Sequence, residues 1–89
     1  MFYVYIIYSS KLKKKYIGFS EDIKNRIIEH QTGKSIYTKR SRDWELVYYE
    51  AFINKSDAQI EEQFLKSGKG QDRIKYLLKN YFLYRGEVA

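Results

Sequence analysis

Residues Phe2–Ser9 read FYVYIIYS, and β-branched or aromatic side chains fill both alternating positions of that run. It is too short and too rich in strand formers for a helix. Apolar on both faces, it predicts a strand covered above and below, which places it in the middle of its sheet. That requirement governs the rest of an 89-residue chain. A chain this short buries only about 60–65% of the surface its unfolded form exposes, so everything must serve one core and one domain, expected to span 1–89.

The segments that follow supply the covering layers. Residues 10–14 are polar and predict a turn, and KYIGF at 15–19 predicts the second strand of a hairpin. Gly18 weakens that strand unless something must approach its backbone closely. Ser20 reads as an N-cap, followed by Glu21 and Asp22 where a helix dipole favours anions, with the helix over 21–32 ending at Gly33. A polar, basic loop at 33–43 leads to a third strand at 44–52. Ser56 and Gln59 form a capping-box pattern for a second helix to Lys66, SGKG at 67–70 reads as a break, and a third helix runs from 72 to about 84. Ile74, Leu77, Leu78 and Tyr81 form its inner stripe. The order β-β-α-β-α-α predicts an α+β fold, a small three-stranded antiparallel sheet flanked by helices.

Composition narrows the chemistry. The chain has no cysteine, which excludes disulfides, thiolate metal sites and thiol catalysis. No stretch approaches the ~20 apolar residues needed to span a bilayer, and MFYVYIIYSS lacks the positive leading segment of a signal peptide, so a soluble cytoplasmic protein is expected. A net charge of +6 and ten tyrosines favour a polyanionic partner, nucleic acid before membrane surface.

Four groups of residues can carry chemistry. Tyr3, Tyr5 and Ile7 share one face of the first strand, and Tyr16 and Gly18 share one face of the second. If the register aligns those faces, Tyr5 and Tyr16 meet beside a glycine gap, where a phenol can orient water or bond to a phosphate oxygen. As ordinary strand residues they would simply be half-buried tyrosines. Arg26 and His30, four apart, share a helix flank; Arg26 suits phosphate in two places, or pairs with Asp22 as a common surface bridge. His30, the single histidine, suits general-base work near neutrality, or packing.

In the second helix, Leu65, Glu62 and Glu61 fall at about −20°, +40° and −60° from Ala58. Both carboxylates therefore flank the line that faces the sheet, where each must pair with a cation or hold a metal, and periodicity does not choose between them. Two solvated glutamates, one beside Lys66, are the plainer alternative. Finally, Lys14 and Lys15 at the hairpin tip, and Lys34, Lys39, Arg40 and Arg42 interleaved with Tyr37, make a basic, partly aromatic footprint for nucleic acid, unless they are only solvated loops.

Taken in order, VYI at 4–6, YIG at 16–18, Arg26 and His30, Thr32–Gly33, and SDAQIEEQFLKSGKG at 56–70 resemble the GIY-YIG nuclease family. The likeness is to its small standalone single-domain branch, similar to the N-terminal endonuclease domain found in excinuclease. It implies a divalent-metal-dependent endonuclease that hydrolyses DNA phosphodiester bonds, with Mg²⁺ or Mn²⁺ as cofactor. It also implies a role for each residue: Tyr5 orients or deprotonates the attacking water, Tyr16 bonds to the phosphate or that water, Arg26 stabilises phosphate charge, His30 assists proton transfer, and Glu62 holds the metal, with Glu61 as the fallback. Where some members carry a lysine after the second motif, this chain has Phe19. The expected partner is DNA, bound with low sequence specificity in repair or processing, with a protein partner or second copy adding specificity. The alternative is a nucleic-acid-binding module with little or no catalysis.

Overall fold

The computed structural model describes residues 1–86, so the last three residues of the expected 1–89 domain lie outside the described residues. Strand β1 (Phe2–Ser9) is flanked by β2 (Lys14–Ser20) and β3 (Glu45–Phe52), both antiparallel, in the order β2-β1-β3. The doubly apolar run is thus the central strand, with Val4 to Tyr8 buried throughout. Helix α1 (Ile23–Gln31) covers one face; α2 (Lys55–Lys66), α3 (Gly68–Leu77) and α4 (Lys79–Tyr84) cover the other. The α+β architecture matches the sequence reading.

Alternation along β1 sorts the core into two layers. Val4, Ile6 and Tyr8 pack with Ala58, Leu65, Ile74, Leu78 and Phe82 beneath the three C-terminal helices. Tyr5 and Ile7 pack with Trp44, Ile23, Ile27 and Leu46 beneath α1. The register pairs Tyr5 with Gly18 and Ile7 with Tyr16, which fixes the site on the α1 side.

Three boundaries differ from the sequence reading. Asp22, not Ser20, caps α1: its carboxylate accepts from the Asn25 N–H at 3.1 Å, while Ser20 stays in β2 and its hydroxyl accepts from the Asp22 N–H. Asn54, not Ser56, caps α2, because its side chain reaches the Ser56 N–H at 2.8 Å and takes the cap one turn-step earlier. SGKG is not a break of several residues. Ser67 alone separates α2 from α3 and caps both, donating to the Phe64 carbonyl and accepting from the Gly70 N–H. Gly70 is needed for closeness: a Cβ there would lie 2.5 Å from Leu65 Cα and nearer still to the Phe64 carbonyl oxygen. The expected third helix therefore starts earlier, and a one-residue interruption at Leu78 divides it into α3 and α4.

Candidate active site

Gly18 determines where Tyr5 goes. Facing each other across the β1–β2 ladder, the glycine leaves a gap and the phenol ring lies across it; a Cβ on Gly18 would sit 2.8 Å from Tyr5 Cε1 and closer to Cζ and the hydroxyl. Tyr16 is the diagonal neighbour on the same face, one pair along. Helix α1 buries Ile23 and Ile27 against this layer, so Arg26 and His30, on the flank of that stripe, are turned toward the two phenols.

His30 has no solvent exposure. Its Nε2 is 2.7 Å from the Tyr5 hydroxyl and its Nδ1 is 2.6 Å from Thr38 Oγ1. The imidazole lies between the tyrosine rings, with centroids 5.7 Å from Tyr5 and 5.1 Å from Tyr16. Burial, then the Arg26 charge, lower its pKa to about 4, so the ring is neutral at pH 7. Burial likewise raises the Tyr5 pKa to about 12, against the opposing pull of the nearby Arg26 guanidinium. We assign the proton arrangement in which Tyr5 donates to Nε2 and Nδ1–H donates to Thr38, which satisfies both ring nitrogens.

Arg26 does not form the surface bridge with Asp22 that was the plainer alternative. It binds the Glu29 carboxylate at 3.1 Å and makes a longer 3.5 Å contact with the Ser35 hydroxyl. Burial opposes its charge, but Glu29 and Tyr5 outweigh burial and raise its pKa, holding it firmly cationic.

Thr38 was missed in the sequence, as were Ser35, Ser41 and Asp43. The loop at 33–43 reads as solvated, yet Ser35, Thr38 and Ser41 are all buried. The Trp44 indole donates to the Thr38 carbonyl at 2.8 Å and fixes the loop beneath His30. Asp43 closes its far end, accepting from Ser41 at 2.5 Å, Ser9 at 2.6 Å and the Lys11 N–H at 2.9 Å. Burial raises the Asp43 pKa, but these hydroxyls and the amide outweigh it and lower it to about 2. Small hydroxyl residues at intervals of three in SIYTKRS were the available signal.

Glu62 lies on α2, against the other face of the sheet, yet its charge is felt at the Tyr5 hydroxyl, where it raises the pKa. Its Oε2 is 3.3 Å from Lys66 Nζ, and the side chain is 18% exposed. Glu61 turns elsewhere: burial and then the neighbouring Glu61 carboxylate push Glu50 on β3 up to about 7. Among the described residues, no group of three or more His, Cys, Asp or Glu converges to hold a metal. One hard carboxylate whose charge is felt at Tyr5 fits a Mg²⁺ that draws its remaining ligands from water and a phosphate.

The basic residues divide. Lys34, Tyr37, Lys39, Arg40 and Arg42 share the loop tied to His30, all five exposed, with the Arg42 side chain folded over Gly33. Lys15 points to the opposite face, 5.9 Å above the Phe82 ring, where burial and Lys75 lower its pKa. Lys14 is exposed at the hairpin tip. Phe19 stacks on Phe2 on that same opposite face, away from the phenols.

The GIY-YIG catalytic domain matches residues 1–76. A UPF0213 protein of Pediococcus acidilactici is 33% identical over 82 residues, covering 89% of this chain and 83% of the relative. One of Staphylococcus saprophyticus is 38% identical over 76 residues, covering 84% and 92%. The solution NMR structure of a UPF0213 protein from Bacillus halodurans is similar with a TM-score of 0.53 and 31% identity, over 86% of this chain and 85% of that one. Among the described residues, no helix is long and apolar enough to cross a membrane.

Proposed function

The chain belongs to the GIY-YIG catalytic domain family, and from that premise we propose that it is a divalent-metal-dependent endonuclease acting on DNA. Nucleases of this family hydrolyse phosphodiester bonds, act on DNA and generally depend on a divalent metal. What supports the reading for this chain is the convergence of Tyr5, Tyr16, Arg26 and His30 on one side of the sheet, with the Glu62 charge reaching the same hydroxyl.

Each residue then has a physical role. Arg26, partly exposed and firmly cationic, is preorganised to stabilise charge on the scissile phosphate. Tyr16 is accessible as it stands and donates to the phosphate or the attacking water. Tyr5 is fully buried with the Arg26 charge felt at its hydroxyl, so it acts on the water once the site opens to admit a phosphate. Its proton has an acceptor in His30 Nε2, 2.7 Å away, and Thr38 holds the imidazole in the required tautomer. His30 is thus a positioning residue behind Tyr5. Glu62 would hold Mg²⁺ or Mn²⁺, with Glu61 turned away toward Glu50. Once bound, the cation supplies Lewis-acid stabilisation of the phosphate. Lys34, Lys39, Arg40 and Arg42 contact the backbone with little sequence preference, as suits repair or processing in the cytoplasm.

A nucleic-acid-binding module with weak catalysis is the second reading. The observation favouring it is the complete burial of Tyr5 and His30, with pKa values of about 12 and about 4 on the unreactive sides of neutrality. The test is a cleavage panel of linear, nicked, flapped and single-stranded DNA with Mg²⁺, Mn²⁺ or EDTA, alongside Tyr5→Phe and Glu62→Gln. Metal-dependent products that vanish in both variants establish the nuclease. Tight, metal-indifferent binding without products establishes the binding module.

A further inference from the structure

We propose that Tyr37 is a stacking platform for an unpaired base, so that the site selects DNA with a strand already freed from its duplex, such as a flap, tail or frayed end; this rests on the nuclease reading above. Tyr37 is 77% exposed, and its neighbour Ile36 is 70% exposed. An exposed aromatic at a loop tip is ordinary when the loop is mobile and remote. This one is neither. Thr38, the next residue, is buried and bonded to both His30 and Trp44, so the Tyr37 backbone is tied directly to the reaction centre.

The ring has a defined direction. It runs nearly parallel to Tyr16, with 21° between the planes and 6.4 Å between centroids, and Tyr16 in turn lies against the His30 imidazole. One face of Tyr37 is thereby aligned with the catalytic phenol, while most of the side chain meets solvent. Packing on Tyr16 alone does not account for a ring left so open.

The surroundings identify the ligand. Residues 33–42 contain Lys34, Lys39, Arg40 and Arg42 and no acidic residue. Cations track a phosphate backbone, and an aromatic face among them accepts the flat face of a base. In an intact duplex each base already has both faces covered by its neighbours. A free face exists where a base is unpaired, extruded or terminal. A strand whose phosphate lies against Arg26 and Tyr16 then rests a neighbouring base on Tyr37.

The experiment separates this from cleavage. Glu62→Gln protein is mixed with DNA carrying 2-aminopurine either in a single-stranded flap or inside a continuous duplex, and fluorescence reports stacking as affinity is measured. The expected result is quenching of the flap probe that is lost in Tyr37→Ala and kept in Tyr37→Phe and Tyr37→Trp. Flap affinity should fall about tenfold in Tyr37→Ala, while duplex affinity is unchanged. Equal losses on both substrates, or quenching that survives Tyr37→Ala, would overturn the proposal. If wild-type protein cuts DNA without this Tyr37 dependence, only the stacking platform fails. If stacking holds but no substrate is ever cut, only the nuclease reading fails.

Discussion

Replacing Gly18 with alanine should damage the site through a single contact. The glycine φ is not in the left-handed region, so alanine fits the β2 backbone, and in a strand it should be favoured by about 0.5–1 kcal/mol. The Tyr5 ring opposes that gain. A new Cβ within 2.8 Å of Cε1 must push the ring back by at least about 0.7 Å to reach ordinary carbon contact. The 2.7 Å bond between the Tyr5 hydroxyl and His30 then lengthens out of range. Overpacking costs about 1–3 kcal/mol and the lost bond about 1 kcal/mol, so Gly18→Ala should be less stable by roughly 1–3 kcal/mol net. In a domain of this size each kcal/mol lowers Tm by about 4–8 °C. On a Tyr5→Leu background the obstructing atoms are gone, and the same alanine should be neutral or stabilising. Urea melts of the four proteins in this cycle measure the coupling, expected near about 2 kcal/mol. An equal cost on both backgrounds would refute the idea that Gly18 exists to seat Tyr5.

The remaining expectations concern protons, the metal and the loop. His30 has its folded pKa depressed to about 4 from 6.5, so its contribution is complete above pH 6.5 and lost as pH falls toward 4; at about 1.36 kcal/mol per pH unit this amounts to roughly 3 kcal/mol. Glu50 titrates in the opposite sense: raised from 4.5 to about 7 by burial and then Glu61, it stabilises the fold below pH 4.5 and loses that contribution as pH rises through 7. Denaturant melts from pH 4.5 to 7 should therefore show His30→Gln losing stability with rising pH and Glu50→Gln losing it on acidification; the same slope in both would overturn these assignments. Glu50→Gln should also stabilise the protein above pH 7 by about 1–2 kcal/mol, since its buried Oε1 has no hydrogen-bond partner and an amide can donate to Glu61. Glu62→Gln should leave Tm unchanged, because the exposed pair with Lys66 is worth little, while abolishing metal-dependent cleavage; cutting at the wild-type rate would remove Glu62 from the metal site. Thr38→Val, which keeps the shape and deletes the acceptor for Nδ1–H, should cost about 1–3 kcal/mol and slow cleavage through His30; unaltered stability would contradict the tautomer assigned to His30.

How much of the site was legible varied with its chemistry. The parity of Tyr5, Gly18 and Tyr16 on their strands, and the four-residue step from Arg26 to His30, could be read directly because each follows from a local repeat. Thr38 could not, because a polar loop gives no periodic sign that its hydroxyls turn inward, and the bond that reveals it depends on where α1 lands. Periodicity likewise could not separate Glu61 from Glu62, because what each carboxylate meets is a tertiary matter: Glu50 for one, Lys66 and the field at Tyr5 for the other. SGKG looked like a break because glycine usually disfavours helix; the close backbone approach at Gly70 reverses its meaning.

Local sequence alone settles a central strand with two covered faces, the side of the sheet on which each aromatic stands, and a positive surface suited to phosphate. These are properties of alternation and composition, set within a few residues of chain. Long-range packing is what lays Tyr5 across Gly18, buries His30 as a neutral ring between two phenols, and pins the basic loop beneath it. Those outcomes rest on contacts such as Tyr5 with His30, 25 residues apart, and Ser9 with Asp43, 34 apart. Burial and the pKa shifts it causes belong to such distant neighbours, and no short stretch of sequence contains them.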